Sequence, residues 1–197
     1  MTDKPILTCS IGIMDLDKSA KSLLGSLCWN VRYDITNLSM DFGKPSIRVV
    51  HEPMSNIKMA HKPRNNPRKE VRRLLNRRQI SVGGQWRLWV YFANWRIVRS
   101  NVCLASTSSS MRKIAQALLD LQGQRLLDIR VNPESGATRF NFDLDTILEV
   151  RRKRQLSTDE LWLLYGLDGY ERSMRGDGTF KREKCCASVP VSRSSDL

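Results

Sequence analysis

Apolar residues in this chain alternate with polar ones over short runs, and two amphipathic helical stretches interrupt the alternation. Residues 6–14 fit a short first strand. Asp15 or Asp17 can then cap a helix over 17–24, with Leu16, Ala20, Leu23 and Leu24 on one face and Gly25 as its stop. Leu27, Trp29, Val31 and Tyr33 share one side of a strand, and Asp34 to Asn37 is turn chemistry. Leu38, Met40 and Phe42 alternate again, Gly43-Lys44-Pro45 turns the chain, and Ile47 to Val50 completes a three-strand meander.

The same order recurs downstream. Ser108 to Ser110 can cap a helix over 111–121, in which Met111, Ile114, Ala115, Leu118 and Leu121 form one stripe. Gly123 stops it, Leu127, Ile129 and Val131 alternate, and 132–136 turns. Phe140, Phe142 and Leu144 follow, then a strand around Ile147 to Val150. Laying Gly25–Val50 on Gly123–Val150 with one two-residue gap pairs Gly25 with Gly123, Arg32 with Arg130, Phe42 with Phe142, Ile47 with Ile147 and Val50 with Val150. Trp86-Arg87-Leu88 then answers to Trp162-Leu163-Leu164. An internal duplication of a helix-plus-meander unit accounts for this agreement. Two independent meanders that merely share alternation are the other reading.

These elements predict an α+β fold of antiparallel meanders with two to three packed helices, at 17–24, 67–79 and 111–121. The expected units are 1–100, with a basic insertion at 53–80, and 101–180. Leu161 to Tyr165 and a returning strand through Met174 form a hairpin about 167–169, with a second turn at 176–178. Residues 181–197 lose periodicity and read as a disordered tail.

Charge changes the picture at one place. The net charge is +13, and Pro53 to Ile80 holds nine Lys or Arg against the single acid Glu70. Charge so concentrated sets up a local field, whereas dispersed charge mainly aids solubility. Ser55 to Asn65 reads as a basic loop. Asn66-Pro67 then starts a helix whose Val71, Leu74 and Leu75 make a narrow apolar stripe. Arg68, Lys69 and Arg72 crowd one another and Arg73 and Arg77 form an i,i+4 pair, a repulsive arrangement that bound phosphates would relieve.

The candidate nucleic-acid-binding residues are therefore Lys62, Arg64, Arg68, Lys69, Arg72, Arg73, Arg77 and Arg78. A polyanion partner, foremost nucleic acid, is one reading. An acidic protein partner is the alternative, as for an immunity-type module or a complex subunit, and a solvated basic face is the third. No helix-turn-helix, zinc-finger or ribonucleoprotein signature narrows the first. Trp86, Trp89 and Trp95 lie among Arg87 and Arg96 and can stack bases. Apolar residues on both faces of that strand favour instead a central strand buried on both sides.

Catalytic chemistry is not visible. His51 and His61 lack neighbours at metal-ligand spacing, and no nucleotide-binding fingerprint occurs, so neither metal nor cofactor nor enzymatic activity is expected. Five cysteines at irregular spacing form no disulfide framework, and Cys28 and Cys103 read as small core residues. Without a signal peptide or an apolar run of membrane length, the expectation is a cytoplasmic protein with no membrane contact.

Overall fold

The computed structural model describes residues 10–34, 37–50, 79–153 and 159–185. Fourteen strands dominate them: β1 (Ile11–Gly12), β2 (Cys28–Asp34), β3 (Asn37–Phe42), β4 (Ser46–Val50), β5 (Gln79–Gly83), β6 (Trp86–Tyr91), β7 (Asn94–Arg99), β8 (Val102–Ser106), β9 (Leu126–Val131), β10 (Thr138–Phe142), β11 (Thr146–Arg151), β12 (Glu160–Gly166), β13 (Tyr170–Arg175) and β14 (Phe180–Lys184). Among the described residues, helical structure is limited to α1 (Ile13–Leu16), a 3-10 helix (Lys18–Leu23) and α2 (Met111–Leu121).

The α+β expectation is thus corrected to a mostly-β fold with two large antiparallel sheets. Only α2 exceeds six residues among the described residues. The helix expected over 17–24 is a 3-10 helix, Lys18–Leu23, capped by Asp17, which is extended (φ −149°, ψ 104°). Its carboxylate accepts from the Ser19 backbone N–H and is also drawn to Arg172. The expected helix at 67–79 falls outside the described residues apart from Gln79, which opens β5.

Sheet I runs β1-β9-β10-β11-β7-β8 and sheet II runs β2-β3-β6-β12-β13-β14. Their inner faces fill one core: Ile129, Phe140, Phe142, Leu148 and Trp95 from sheet I, and Met40, Phe42, Leu88, Trp162 and Leu164 from sheet II. Burying one face of each sheet is what strict alternation permits. β6 follows that rule, with Trp86, Leu88 and Val90 inward and Arg87, Trp89 and Tyr91 half-buried on the other side. It is therefore not buried on both faces. Cys28 is in the core as expected, whereas Cys103 is exposed on the border strand β8.

In order, β9, β10, β11, β7 and β8 of sheet I answer to β2, β3, β6, β12 and β13 of sheet II. The Gly25 N–H donates to the Leu126 carbonyl, and the Gly123 N–H to the Cys28 carbonyl, both at 2.7 Å. The Gly43 N–H reaches the Leu27 carbonyl as the Asp143 N–H reaches that of Arg125, at 3.1 and 2.9 Å. Leu27 and Arg125 form an isolated bridge with each other, and the Phe42 and Phe142 rings stack with centroids 6.3 Å apart. A pseudo-twofold axis therefore passes between these two pairs. Gly25 and Gly123 hold φ of 80° and 87°, the left-handed conformation glycine adopts without steric cost.

The tertiary match shifts three of the residue equivalences expected from sequence. β11 answers to β6, not to β4, so Ile147 and Val150 are not counterparts of Ile47 and Val50. Trp162, opposite Val90, answers to Trp95, opposite Val150, and not to Trp86. The division at 100/101 lies in the turn between β7 and β8. β14 continues the pairing to Lys184, beyond the point where the sequence loses its periodicity.

β4 does not complete a meander. It pairs with β5 alone, as a ribbon outside both sheets, while β3 pairs with β6. The ribbon leaves the end of the β3–β6 pair, where Gly43 and Gly84 let the chain turn. A Cβ on Gly84 would lie 2.6 Å from the Phe42 carbonyl oxygen and 2.8 Å from its nitrogen. Gly84→Ala is therefore expected to cost about 2 kcal/mol through overpacking, measured by denaturant unfolding.

Candidate polyanion interface

The β4–β5 register runs from Ser46 opposite Gly83 to Val50 opposite Gln79, so the two ends of the basic insertion are held side by side. Lys62, Arg64, Arg68, Lys69, Arg72, Arg73, Arg77 and Arg78 lie outside the described residues, as do His51 and His61. The structure thus gives the anchorage of the candidate residues.

Within the described residues, arginines gather on the outer face of sheet I. Arg130, Arg139, Glu149, Arg96 and Ser106 face one another in a single row across five strands. Arg139 donates its Nε–H to Glu149 Oε1 at 2.8 Å, and Arg96 donates its Nε–H to Oε2. Arg151 adds a 3.4 Å contact from a terminal nitrogen, and Arg130 pairs with Asp128. Glu149 is only 4% exposed, while Arg139 and Arg130 are 29% and 50% exposed. Arg96 and Arg130 each stand between two apolar residues, so the sequence could place them on an outer face. It could not show that β7 adjoins β11, which lies about fifty residues further on.

Burial by itself would raise the Glu149 carboxyl. Hydrogen bonding from Arg96 and the charges of Arg96, Arg139 and Arg151 outweigh burial and hold it below the usual carboxylate range. Burial is likewise outweighed at Asp17, by hydrogen bonds from Ser19 and Arg172, and at Asp168, by the Arg172 and Tyr170 hydrogen bonds and the arginine charges, so both carboxyls are depressed. A carboxylate with a depressed native pKa stabilises the fold above its unfolded pKa, and that contribution is lost as pH falls through the native value. Stability is therefore expected to be level above about pH 5 and to fall progressively below about pH 4. Denaturant midpoints across that interval check this, and Glu149→Gln should flatten the fall.

The outer face of sheet II is different. Of the three tryptophans near Arg87 and Arg96, Trp86 and Trp95 are in the core and only Trp89 faces outward. Trp89 makes edge contacts with Tyr91 and Tyr165, each at 5.5 Å, and the exposed Phe92 continues the cluster. Tyr91, Phe92, Asp159, Glu160 and Leu163 bound a cavity of about 370 Å³. Burial and the nearby charges of Glu171 and Glu160 push the Tyr91 hydroxyl up. Acids beside the rings make this face a poor match for phosphate. Next to it Asp41, fully buried, accepts from Arg87 through both oxygens at 2.7 and 3.1 Å and from Asn30 at 2.6 Å.

Where β13 meets the 3-10 helix, the fully buried Arg172 binds Asp17, Asp168 and the Ser19 hydroxyl, and lies 4.8 Å from the centre of the Trp86 ring. With Arg182 near both carboxylates, the group is charge-balanced and structural in character. An apolar groove of about 460 Å³ lies between α2 and β2, lined by Val31, Met111, Ile114, Leu118 and Leu119 among others.

Among the described residues, no cluster of three His, Cys, Asp or Glu could hold a metal ion, and no helix is long and apolar enough to cross a membrane. Burial and the nearby Asp41 push the Cys28 thiol well up, the opposite of what a nucleophile needs. No family model matches the chain, and no curated protein or solved structure matches it either.

Proposed function

We propose that this chain is a non-enzymatic binding protein that contacts a polyanion, foremost a nucleic acid backbone, through its basic insertion at 53–80. The observation that carries this reading is the concentration of nine cationic residues against one acid in that segment. Its anchorage supports the reading, because the β4–β5 ribbon holds both ends together and belongs to neither large sheet. Arginine forks suit phosphate oxygens, and each neutralised phosphate releases counterions.

Binding to mixed-sequence nucleic acid is therefore expected to weaken steeply with salt. The variant Arg72→Ala, Arg73→Ala, Arg77→Ala should lower the slope of log affinity against log salt by about three, one per lost phosphate contact. A salt titration by fluorescence anisotropy measures both. Absence of binding at low salt, or a triple variant indistinguishable from the parent chain, overturns the reading.

A second reading is a protein-interaction module of immunity type, or a complex subunit, with an acidic protein partner on the same segment. The aromatic outer face of sheet II, where the exposed Phe92 borders the half-buried Trp89, Tyr91 and Tyr165, favours a protein contact in general. Stable co-purification with one acidic protein, lost in the same triple variant, would support it.

A further inference from the structure

We infer that the outer face of sheet I is a second nucleic-acid surface, on which Arg130 and Arg139 contact backbone phosphates. The choice of ligand rests on the polyanion reading above, but the surface is separate from the insertion.

The pseudo-twofold axis supplies the comparison that carries the inference. The row Arg130, Arg139, Glu149, Arg96 and Ser106 occupies the backbone positions that Arg32, Ser39, Trp89, Leu163 and Ser173 occupy in sheet II. The same strand pairing is built there with one charged residue, and in sheet I with four. Pairing these strands therefore does not require the arginines.

Nor do they improve the pairing. Arg130 stands directly opposite Arg139, and like charges so placed weaken a sheet. Glu149 offsets only part of this. Among the described residues, with Arg151 included, four guanidinium groups share the face with two carboxylates, Glu149 and Asp128. The buried carboxylate fixes the Nε side of Arg139, and of Arg96, against the sheet. Holding a guanidinium by that edge lowers the entropy lost when it meets a phosphate. Arg152 and Lys153 continue the charge from the end of β11, both exposed. Strand spacing makes the row from Arg130 to Arg96 about 14 Å long, enough to meet several phosphates of one strand.

The test measures affinity for a mixed-sequence 20-nucleotide strand and its duplex by anisotropy across a salt series. Three variants are compared with the parent chain: Arg130→Gln, Arg130→Gln with Arg139→Gln, and the insertion triple variant. The double variant leaves Glu149 paired with Arg96 and Arg151, and Arg130→Gln alone leaves all three partners of Glu149 in place. Thermal unfolding checks the fold of each.

The salt slope is expected to fall by about one in the single and about two in the double variant, with about tenfold weaker binding in the double at low salt. Parent-like affinity and slope in either folded variant, alongside a loss in the triple variant, overturn this inference and leave the insertion as the contact. Loss in the double but not in the triple variant supports this face and overturns the insertion. A parent chain that binds neither strand nor duplex at low salt overturns both.

Discussion

Arg172→Ala is expected to be among the most damaging single substitutions in this chain, costing about 3 kcal/mol because it strands the buried Asp17 beside the half-buried Asp168. Arg172 is fully buried on the inner side of β13. It holds Asp17, itself 8% exposed, and Asp168, and donates to the Ser19 hydroxyl at 2.5 Å and the Tyr170 carbonyl at 3.2 Å. Without it, Asp17 keeps its Ser19 hydrogen bonds and Asp168 that of the Tyr170 N–H, but among the described residues the cation near them is the looser Arg182, 3.5 and 3.8 Å away. The 3-10 helix would lose its main tie to sheet II, and the Trp86 ring would lose the cation over it. For a chain of this size the loss corresponds to a fall of about 10 °C in unfolding midpoint.

The companion variant Asp17→Asn, Asp168→Asn, Arg172→Met should recover most of that loss, since removing a whole buried ion network is often neutral. Calorimetry of the two variants decides the matter. A single variant as stable as the parent would show that the network carries little of the fold.

Phe142→Ala is the second large effect expected, about 3–5 kcal/mol for an emptied aromatic site. Phe42 and Phe142 are nearly fully buried and stack with 16° between their planes, where the pseudo-twofold axis crosses the core. The pair joins β3 of one sheet to β10 of the other. Phe42→Ala should cost a similar amount, and the double variant less than the sum. The shared term is about 0.5–1.5 kcal/mol, the value of an aromatic pair beyond its buried area. Strict additivity in a double-mutant cycle would mean that the stacking adds nothing to burial.

The legible and illegible parts of the fold divide along sequence distance. Helix 111–121 is found at its expected bounds, because a long amphipathic stripe ended by glycine is a local signal. Most individual strands are likewise visible in the alternation. The short helix over 17–24 is present as a 3-10 helix, Lys18–Leu23, capped by Asp17; what no local signal shows is that the same carboxylate is shared with Arg172, more than 150 residues away. Adding helices to meanders gave α+β, whereas the helices are short and the strands assemble into two sheets.

The candidate site divides the same way. The basic insertion is legible because charge density is a property of adjacent residues. The arginine row is not, since the β9-β10-β11 meander is extended, at β11, by β7 from the preceding part of the chain. Trp86 and Trp89 lie on opposite phases of one strand in the sequence, and of the three tryptophans Trp86 and Trp95 are in the core while Trp89 faces out. The phase of an alternating strand is written locally. Which phase faces inward depends on the strands beside it.

The sequence by itself determined the positions of most strands, the helix at 111–121, the glycine stops and the charge excess at 53–80. All of these depend on neighbours within a few residues. Tertiary structure alone decided the exchange of hairpins between sheets, the stacking of Phe42 on Phe142, the outward turn of Trp89 and the meeting of Arg130, Arg139 and Arg96 around Glu149. Those are pairings between distant segments. They are fixed only when two amphipathic sheets bury their apolar faces against each other, a choice that no local pattern encodes.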